Sequence, residues 1–395
     1  MAAGVSVIFA MMYKQKPFRL RIITIAILAL AIFLLMFIAG YPAFVERYYS
    51  NGFYKAICFI FHPVLNLFPF SVGDLIYLIV VGYLIYAFIK LIRLLIKRQW
   101  HNAGFFMLGT IIGVQVFILC FYLLWGMNYY RLSVAERLNL PDSGYTTADL
   151  KSVTAMLIDS ANSCRQKVTP ADLKQDNKAI FGIAIRAVNS LSAGSNDFHT
   201  FKPAIKPSIL TPLLNYMGTS GYYNPFTTEA QIDYEMPVFI KPFVACHEMS
   251  HQMGFGPEDE ANFAGFLAGI NSNDRLLRYS AYYVGVQEFM FALRRQDSLA
   301  RKELRKNISQ LVLNDFKTER DYWLGYESKL GVLSSLFYDD FLKANNQPQG
   351  LNTYNQMVRL VMGWYRKKNR MSASFDSPRL RYAGRPSLRC AQRGF

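Results

Sequence analysis

The chain has 395 residues, with 43 Lys and Arg against 27 Asp and Glu, for a formal net charge of +16. Hydrophobic residues make up 52% of it and crowd before residue 127, which excludes a uniformly soluble globular protein and leaves room for two or three domains. About half of the positive excess lies after Tyr365, so juxtamembrane and tail residues account for it without a nucleic-acid partner. The five cysteines lack the regular spacing of a disulfide framework.

In chain order, Lys14, Lys16, Arg19 and Arg21 precede a nearly unbroken apolar run over 22–40. It is long enough to cross a bilayer and too long for the core of a signal peptide. Residues 41–72 mix in many aromatics, among them Tyr48, Tyr49, Phe53, Tyr54, Phe59 and Phe61, and are expected to form an interfacial or re-entrant segment. Second and third spans are expected near 75–96 and 105–125. Lys90, Arg93, Lys97 and Arg98 lie at the end of the second. The positive-inside rule then puts the N terminus and this basic turn in the cytoplasm and everything after Trp125 outside it. No charge sits mid-span, so nothing suggests an ion path or catalysis within the membrane. The expected architecture is a membrane-anchored, mainly α (α+β) protein. It has a transmembrane region over 1–126, an extracytoplasmic domain over 127–365 and a disordered basic tail over 366–395.

Within the domain, Thr146 or Thr147 with Asp149 opens a helix that reaches Ala161. Pro170 and Asp172 are expected to open another, and 180–191 has helical spacing. Between 218 and 237, Gly221-Tyr222-Tyr223-Asn224-Pro225-Phe226 and the alternation from Ala230 to Tyr234 predict one or two strands. Asn271 to Asp274 is a loop. A long helix is expected over 275–295, shorter ones over 303–316 and 321–329, a stop between Phe341 and Gly350, and a last helix over 354–365.

The chemistry concentrates in residues 244–266. His247-Glu248-x-x-His251 puts two imidazoles one turn apart on one helix face, where both can reach one zinc ion. Glu248 can then serve as general base toward a zinc-activated water. Only five histidines occur in the chain, so a chance match is improbable. The helix is expected to stop near Gly254 and Gly256, and Pro257 with Glu258, Asp259 and Glu260 suits the start of a second one. A metzincin would carry its third ligand at position 257, which is Pro257 here, so a glutamate is expected instead. Glu258 and Glu260 lie about 200° apart on a helix, so only one can face the metal. Glu258 is preferred, with Glu260 as runner-up. Glu258, Ala261 and Asn262 resemble the Glu-x-x-Ala-Asp segment of gluzincins. There the Glu binds zinc and the acid orients a ligand histidine, a role that here would fall to Asn262.

Taken together, the apolar runs ending near Trp125, the segment Gly221 to Thr227, the run His247 to Phe266, Phe341-Leu-Lys-Ala-Asn345 and Thr353-Tyr354 resemble a bacterial family. It is a family of multi-pass membrane zincins known only as a domain of unknown function. The resemblance covers most of the chain before Lys368. It implies a gluzincin-like, zinc-dependent peptidase in the cell envelope, in the bacterial cytoplasmic membrane, with His247, His251 and Glu258 on zinc and Glu248 as base. The zincin-like domain would be mostly helical with a small β edge beside the active-site helix, where an extended peptide or protein substrate can pair. Tyr222, Tyr223, Tyr282, Tyr283 and His199 are open candidates for stabilising an oxyanion. The alternative is a catalytically silent sensor or scaffold of the same fold, in which Glu248 would have no task.

Overall fold

In the computed structural model, helix α1 (Ala2–Ala39) leads into an aromatic segment of helical turns. The structure describes the backbone of residues 2–141 and 144–375 and the side chains of 18–141, 144–352 and 356–368. After short turns and a π-helix over Val45–Phe53 come α2 (Tyr54–Leu65), α3 (Val72–Ile96) and α4 (Trp100–Leu124). Three stretches, Phe18–Ala39 of α1 and the whole of α3 and α4, are long and apolar enough to cross a membrane. Their apolar side chains face outward, as Phe33, Ile79 and Phe88 do. α4 packs between α1 and α3. Arg21 is held inside this group, its guanidinium 3.4 Å from the centre of the Phe105 ring and hydrogen-bonded to the Phe105 carbonyl.

α3 begins three residues before the expected start at 75. Ser71 caps it by accepting from the Asp74 amide at 3.0 Å. Gly73 and Asp74, which lie between the expected segment and the expected span, are buried against the following domain. Nor is the aromatic segment a surface layer only, because Tyr54, Ile57, Cys58 and His62 of α2 are buried.

The domain opens with α5 (Thr147–Lys167), begun by a reciprocal capping box of Thr146 and Asp149, and α6 (Asn177–Gly194). Pro170 and Asp172 start no α-helix between them. Asp172 closes a short turn by accepting from Thr169 at 2.7 Å and binds Arg275 at 2.8 Å. Strand β1 (Ile205–Pro207), helix α7 (Thr211–Met217) and strands β2 (Gly221–Asn224) and β3 (Glu229–Ile232) follow. The sheet order is β1-β3-β2, with β1 parallel and β2 antiparallel to β3, and Tyr222 faces Gln231. β1 lies outside the expected strands. Its three residues are too few to show an alternation.

Helices α8 (Lys241–Gln252), α9 (Glu258–Ile270) and α10 (Arg275–Gln296) complete the core with α5 and α6. Phe263, Phe266, Tyr279, Tyr283 and Phe289 are fully buried there. The rest is α11 (Ser298–Arg305), α12 (Gln310–Leu324), α13 (Lys329–Ala344) and α14 (Met357–Phe375). The expected helix over 303–316 is broken, because Ser309 caps a new start. α13 occupies a stretch in which no continuous helix was expected. α14 carries helix into residues expected to be disordered. Arg366 pairs with Asp149 at 2.7 Å and Lys367 donates to the Leu138 carbonyl at 2.6 Å, which ties that turn to the domain. Residues 376–395 of the expected tail lie outside the described residues.

The start of α3 is built into the sheet. Glu229 accepts from the amides of Gly73 (2.7 Å) and Val72 (3.2 Å), the favoured place for an anion at a helix start. Lys206 neutralises it at 2.6 Å and donates also to the carbonyls of Leu65 and Phe70. Asp74 accepts from the Ser208 hydroxyl (3.0 Å) and the Ile209 amide (2.7 Å). Buried charges cost several kcal/mol unless paired in this way, so the domain and α3 form one packed unit.

Candidate metal centre

α8 ends at Gln252, and the chain turns back through Gly254 and Gly256 into α9, for which Pro257 is the extended residue before the first turn. α8 and α9 cross closely at Gly265. A Cβ there would lie 3.1 Å from the His247 amide nitrogen. The return brings Glu258 to the two histidines. Its Oε2 is 3.2 Å from Nε2 of His247 and 3.6 Å from Nε2 of His251. Two ligands held about 2.0–2.1 Å from one ion at the tetrahedral angle are about 3.3 Å apart, and both separations from Glu258 are close to that spacing. His247, Glu248 and His251 also offer ligand atoms within 4.8 Å of one another, and all are buried. Glu260 points elsewhere. It accepts from the Val134 amide at 2.7 Å and lies 3.7 Å from Arg137.

The electrostatics follow from burial and from this contact. Burial opposes the charge on Glu258, but His251 and His247 outweigh it and hold the carboxyl well below its usual range. Burial likewise opposes the His251 imidazolium, yet Glu258 raises its pKa to about 9. Glu248 makes no such pair. Burial pushes its carboxyl up to about 7, against the pull of the histidines. Nδ1 of His251 donates to the Phe255 carbonyl at 2.6 Å, which turns Nε2 toward Glu258. The expected partner Asn262 is buried on α9, but the carbonyl takes the orienting role for His251.

Elements far away in sequence close the cluster. Trp125 Nε1 donates to the His251 carbonyl at 3.1 Å, and its ring meets the His251 ring edge-on at 5.7 Å. Tyr54 donates to the carbonyls of His251 and Gln252, both at 3.2 Å. Arg131 donates to Gly254 at 3.0 Å and is paired with Glu46 at 2.7 Å. These bonds satisfy carbonyls that an α-helix leaves open at its C-terminal end. On the other side β2 runs past Glu248, and a Cβ on Gly221 would lie 2.7 Å from both Glu248 Oε1 and the Gln231 carbonyl.

Of the residues considered for an oxyanion role, Tyr223 packs on His251 at 6.0 Å and shares a 3.1 Å hydrogen bond with Tyr54. Tyr222 bonds to Asp74, Tyr283 to Glu319 and Tyr282 packs on Phe266, while His199 is exposed. Sequence reasoning missed Tyr338. From α13 its hydroxyl donates to Glu258 Oε1 at 2.6 Å. The nearest signal was its place three residues before Phe341-Leu-Lys-Ala-Asn345.

Fold and cluster define a mostly helical protein with three helices suited to cross a membrane and a buried His–Glu–His group able to hold a metal ion. The chain belongs to the family described as protein of unknown function DUF3810, whose model matches residues 49–362. The match includes α3, α4 and the whole cluster. No curated protein and no solved structure matches.

Proposed function

We propose that the protein is a membrane-anchored zinc metallopeptidase in which His247, His251 and Glu258 would hold the ion. The convergence of both Nε2 atoms on one Glu258 oxygen carries this reading. A buried carboxylate shared by two imidazoles is costly unless a proton or a cation sits among them, and a zinc ion suits all three donors at once. Zinc bound there supplies Lewis acidity toward a peptide carbonyl and toward water. Glu248 takes the proton of the attacking water and returns it to the leaving amine, a task suited to a carboxyl poised near neutral pH. Tyr338 fixes the outer oxygen of Glu258. β2, at the edge of the sheet, offers backbone partners to an extended peptide or protein substrate.

The membrane topology belongs to the same proposal. Ala39 packs with Met127, Val72 donates to Glu229 and Leu124 precedes Trp125 at the cluster, so these helix ends face the domain, as three alternating crossings require. Arg19, Arg21, Lys97 and Arg98 lie at the opposite ends. Positive residues stay in the cytoplasm, which supports an extracytoplasmic domain on a bacterial cytoplasmic membrane.

Zinc content of the full chain, purified in detergent, tests the site. One zinc per chain is expected in wild type and Glu260→Ala and none in Glu258→Ala. A folded wild type without zinc overturns the reading. Glu248→Gln should keep the zinc and lose hydrolysis of a casein peptide mixture. A silent sensor or scaffold would bind zinc equally and show no hydrolysis in wild type either.

A further inference from the structure

Phe117 and Phe121 of α4 and Trp125, which caps its C-terminal end, follow one another at four-residue spacing, so they form a ladder with about one helical turn, about 5.4 Å, between rungs. Phe117 touches Phe226 of the β2–β3 turn (4.5 Å), Phe121 touches Phe341 of α13 (5.9 Å), and Trp125 touches His251 (5.7 Å). Phe341 also meets Tyr129 at 6.3 Å, so the end of α13 sits level with the end of α4. The other end of α13 is tied to α7, where Ser328 donates to the Tyr216 carbonyl at 2.7 Å. Ile209, two residues before the start of α7, is bonded to Asp74 in the first turn of α3. The C-terminal end of α13 thus lies beside the end of α4, and its N-terminal end is tied to the last turn of α7.

Along α13, Leu330, Leu333, Phe337 and Phe341 recur at three- and four-residue spacing and share a face. They are 41, 50, 70 and 38% exposed, and only Leu342 of the whole helix is buried. Such a contiguous apolar stripe is costly in water. It runs without a break into the apolar surface of α4 at Phe121. Tyr338, beside the stripe and stacked on Phe341 at 6.0 Å, reaches Glu258.

We propose that α13 lies along the bilayer surface with this stripe seated among the acyl chains of the leaflet beside α4, so that the helix covering the metal cluster is itself a membrane-docked element. The site then opens at the bilayer surface and takes polypeptides held there. This last consequence rests on the metallopeptidase reading, whereas the seating does not.

The test places a nitroxide at Leu333→Cys, at Phe337→Cys, and at the exposed control Lys178→Cys on α6, whose neighbour Asn177 meets Lys241 at the start of α8. The full chain carries Cys120→Ser and Cys390→Ser and sits in phosphatidylethanolamine–phosphatidylglycerol nanodiscs. At 333 and 337, collisions with oxygen should exceed those with a water-soluble nickel chelate, and the order should reverse at 178. Nickel access at 333 and 337 equal to that at 178 overturns the proposal, because the stripe then faces water. Low access to both reagents also overturns it, since a second copy or another protein then covers the stripe. The measurement is independent of metal, so its failure would leave the zinc stoichiometry untouched, and a missing zinc would leave the depth result standing.

Discussion

Replacing Glu248 with Gln should make the metal-free protein more stable, and only at the higher pH values. The Glu248 carboxyl is buried in the core and titrates at about 7 rather than 4.5, first because burial penalises its charge and then because Glu258 repels it. Between those two pH values the folded chain holds a proton that the unfolded chain has lost. Stability therefore falls as pH rises through this window. The full interval is worth about 3 kcal/mol, at about 1.4 kcal/mol per pH unit. Gln is of similar shape and has no charge to bury, so the variant should match wild type near pH 4.5 and exceed it by up to about 3 kcal/mol at pH 8. The assay is denaturant unfolding of metal-free wild type and Glu248→Gln in detergent, from pH 4.5 to 8. His251 titrates in both proteins, so the difference between them isolates Glu248 to first order. Zinc should shrink the gain, because a cation beside the carboxylate favours its charged form. A stability difference that stays flat with pH, or that grows on adding zinc, would refute the reasoning.

Gly221→Ala puts a methyl 2.7 Å from the Gln231 carbonyl, which is backbone and cannot step aside, and 2.7 Å from Glu248 Oε1. It should cost about 1–3 kcal/mol and lower hydrolysis while the zinc content stays at one per chain. Tyr54→Phe removes a donor from the carbonyls of His251 and Gln252 and leaves the buried Tyr223 hydroxyl without its partner. A loss of about 1–3 kcal/mol is expected in the same unfolding assay. A chain beginning at Met127 should aggregate or fail to bind zinc, as size-exclusion chromatography and metal analysis would show. A soluble, zinc-loaded monomer would argue against the unit described above.

Sequence pattern exposed the parts of this fold whose signals are local. The three apolar helices stand out because few charges interrupt them, and they start three to five residues before the expected bounds, in the second at Ser71, Gly73 and Asp74, which trade water for protein partners. The Thr146–Asp149 capping box and the Asp274 cap are written within four residues of chain. α13 escaped notice for the opposite reason. Its apolar stripe faces away from the domain core, so helical spacing there coincided with no expected core. β1 is three residues long and exists through its parallel pairing with β3. The turn of α14 beyond Tyr365 depends on Asp149 and the Leu138 carbonyl, more than two hundred residues away.

The cluster divides along the same line. His247, Glu248, His251 and Glu258 sit within twelve residues, so helix geometry and one turn bring them together. The groups that orient and enclose them come from everywhere else: Tyr54 from α2, Trp125 from the end of α4, Gly221 from β2 and Tyr338 from α13. In the sequence each has an ordinary explanation. Tyr54 and Trp125 read as aromatics of a membrane interface, Gly221 as a turn residue and Tyr338 as one of many tyrosines. Their second role follows from position. Whatever lies at the end of α4 also lies at the C-terminal end of α8, where open carbonyls need donors. An interfacial Trp brings an apolar ring and one N–H, and Trp125 spends the N–H on His251 while its ring walls the site. The segment of apolar helices is therefore part of the His–Glu–His cluster's construction, and on the proposed reading substitutions at its aromatic rim should change metal content before they change membrane insertion.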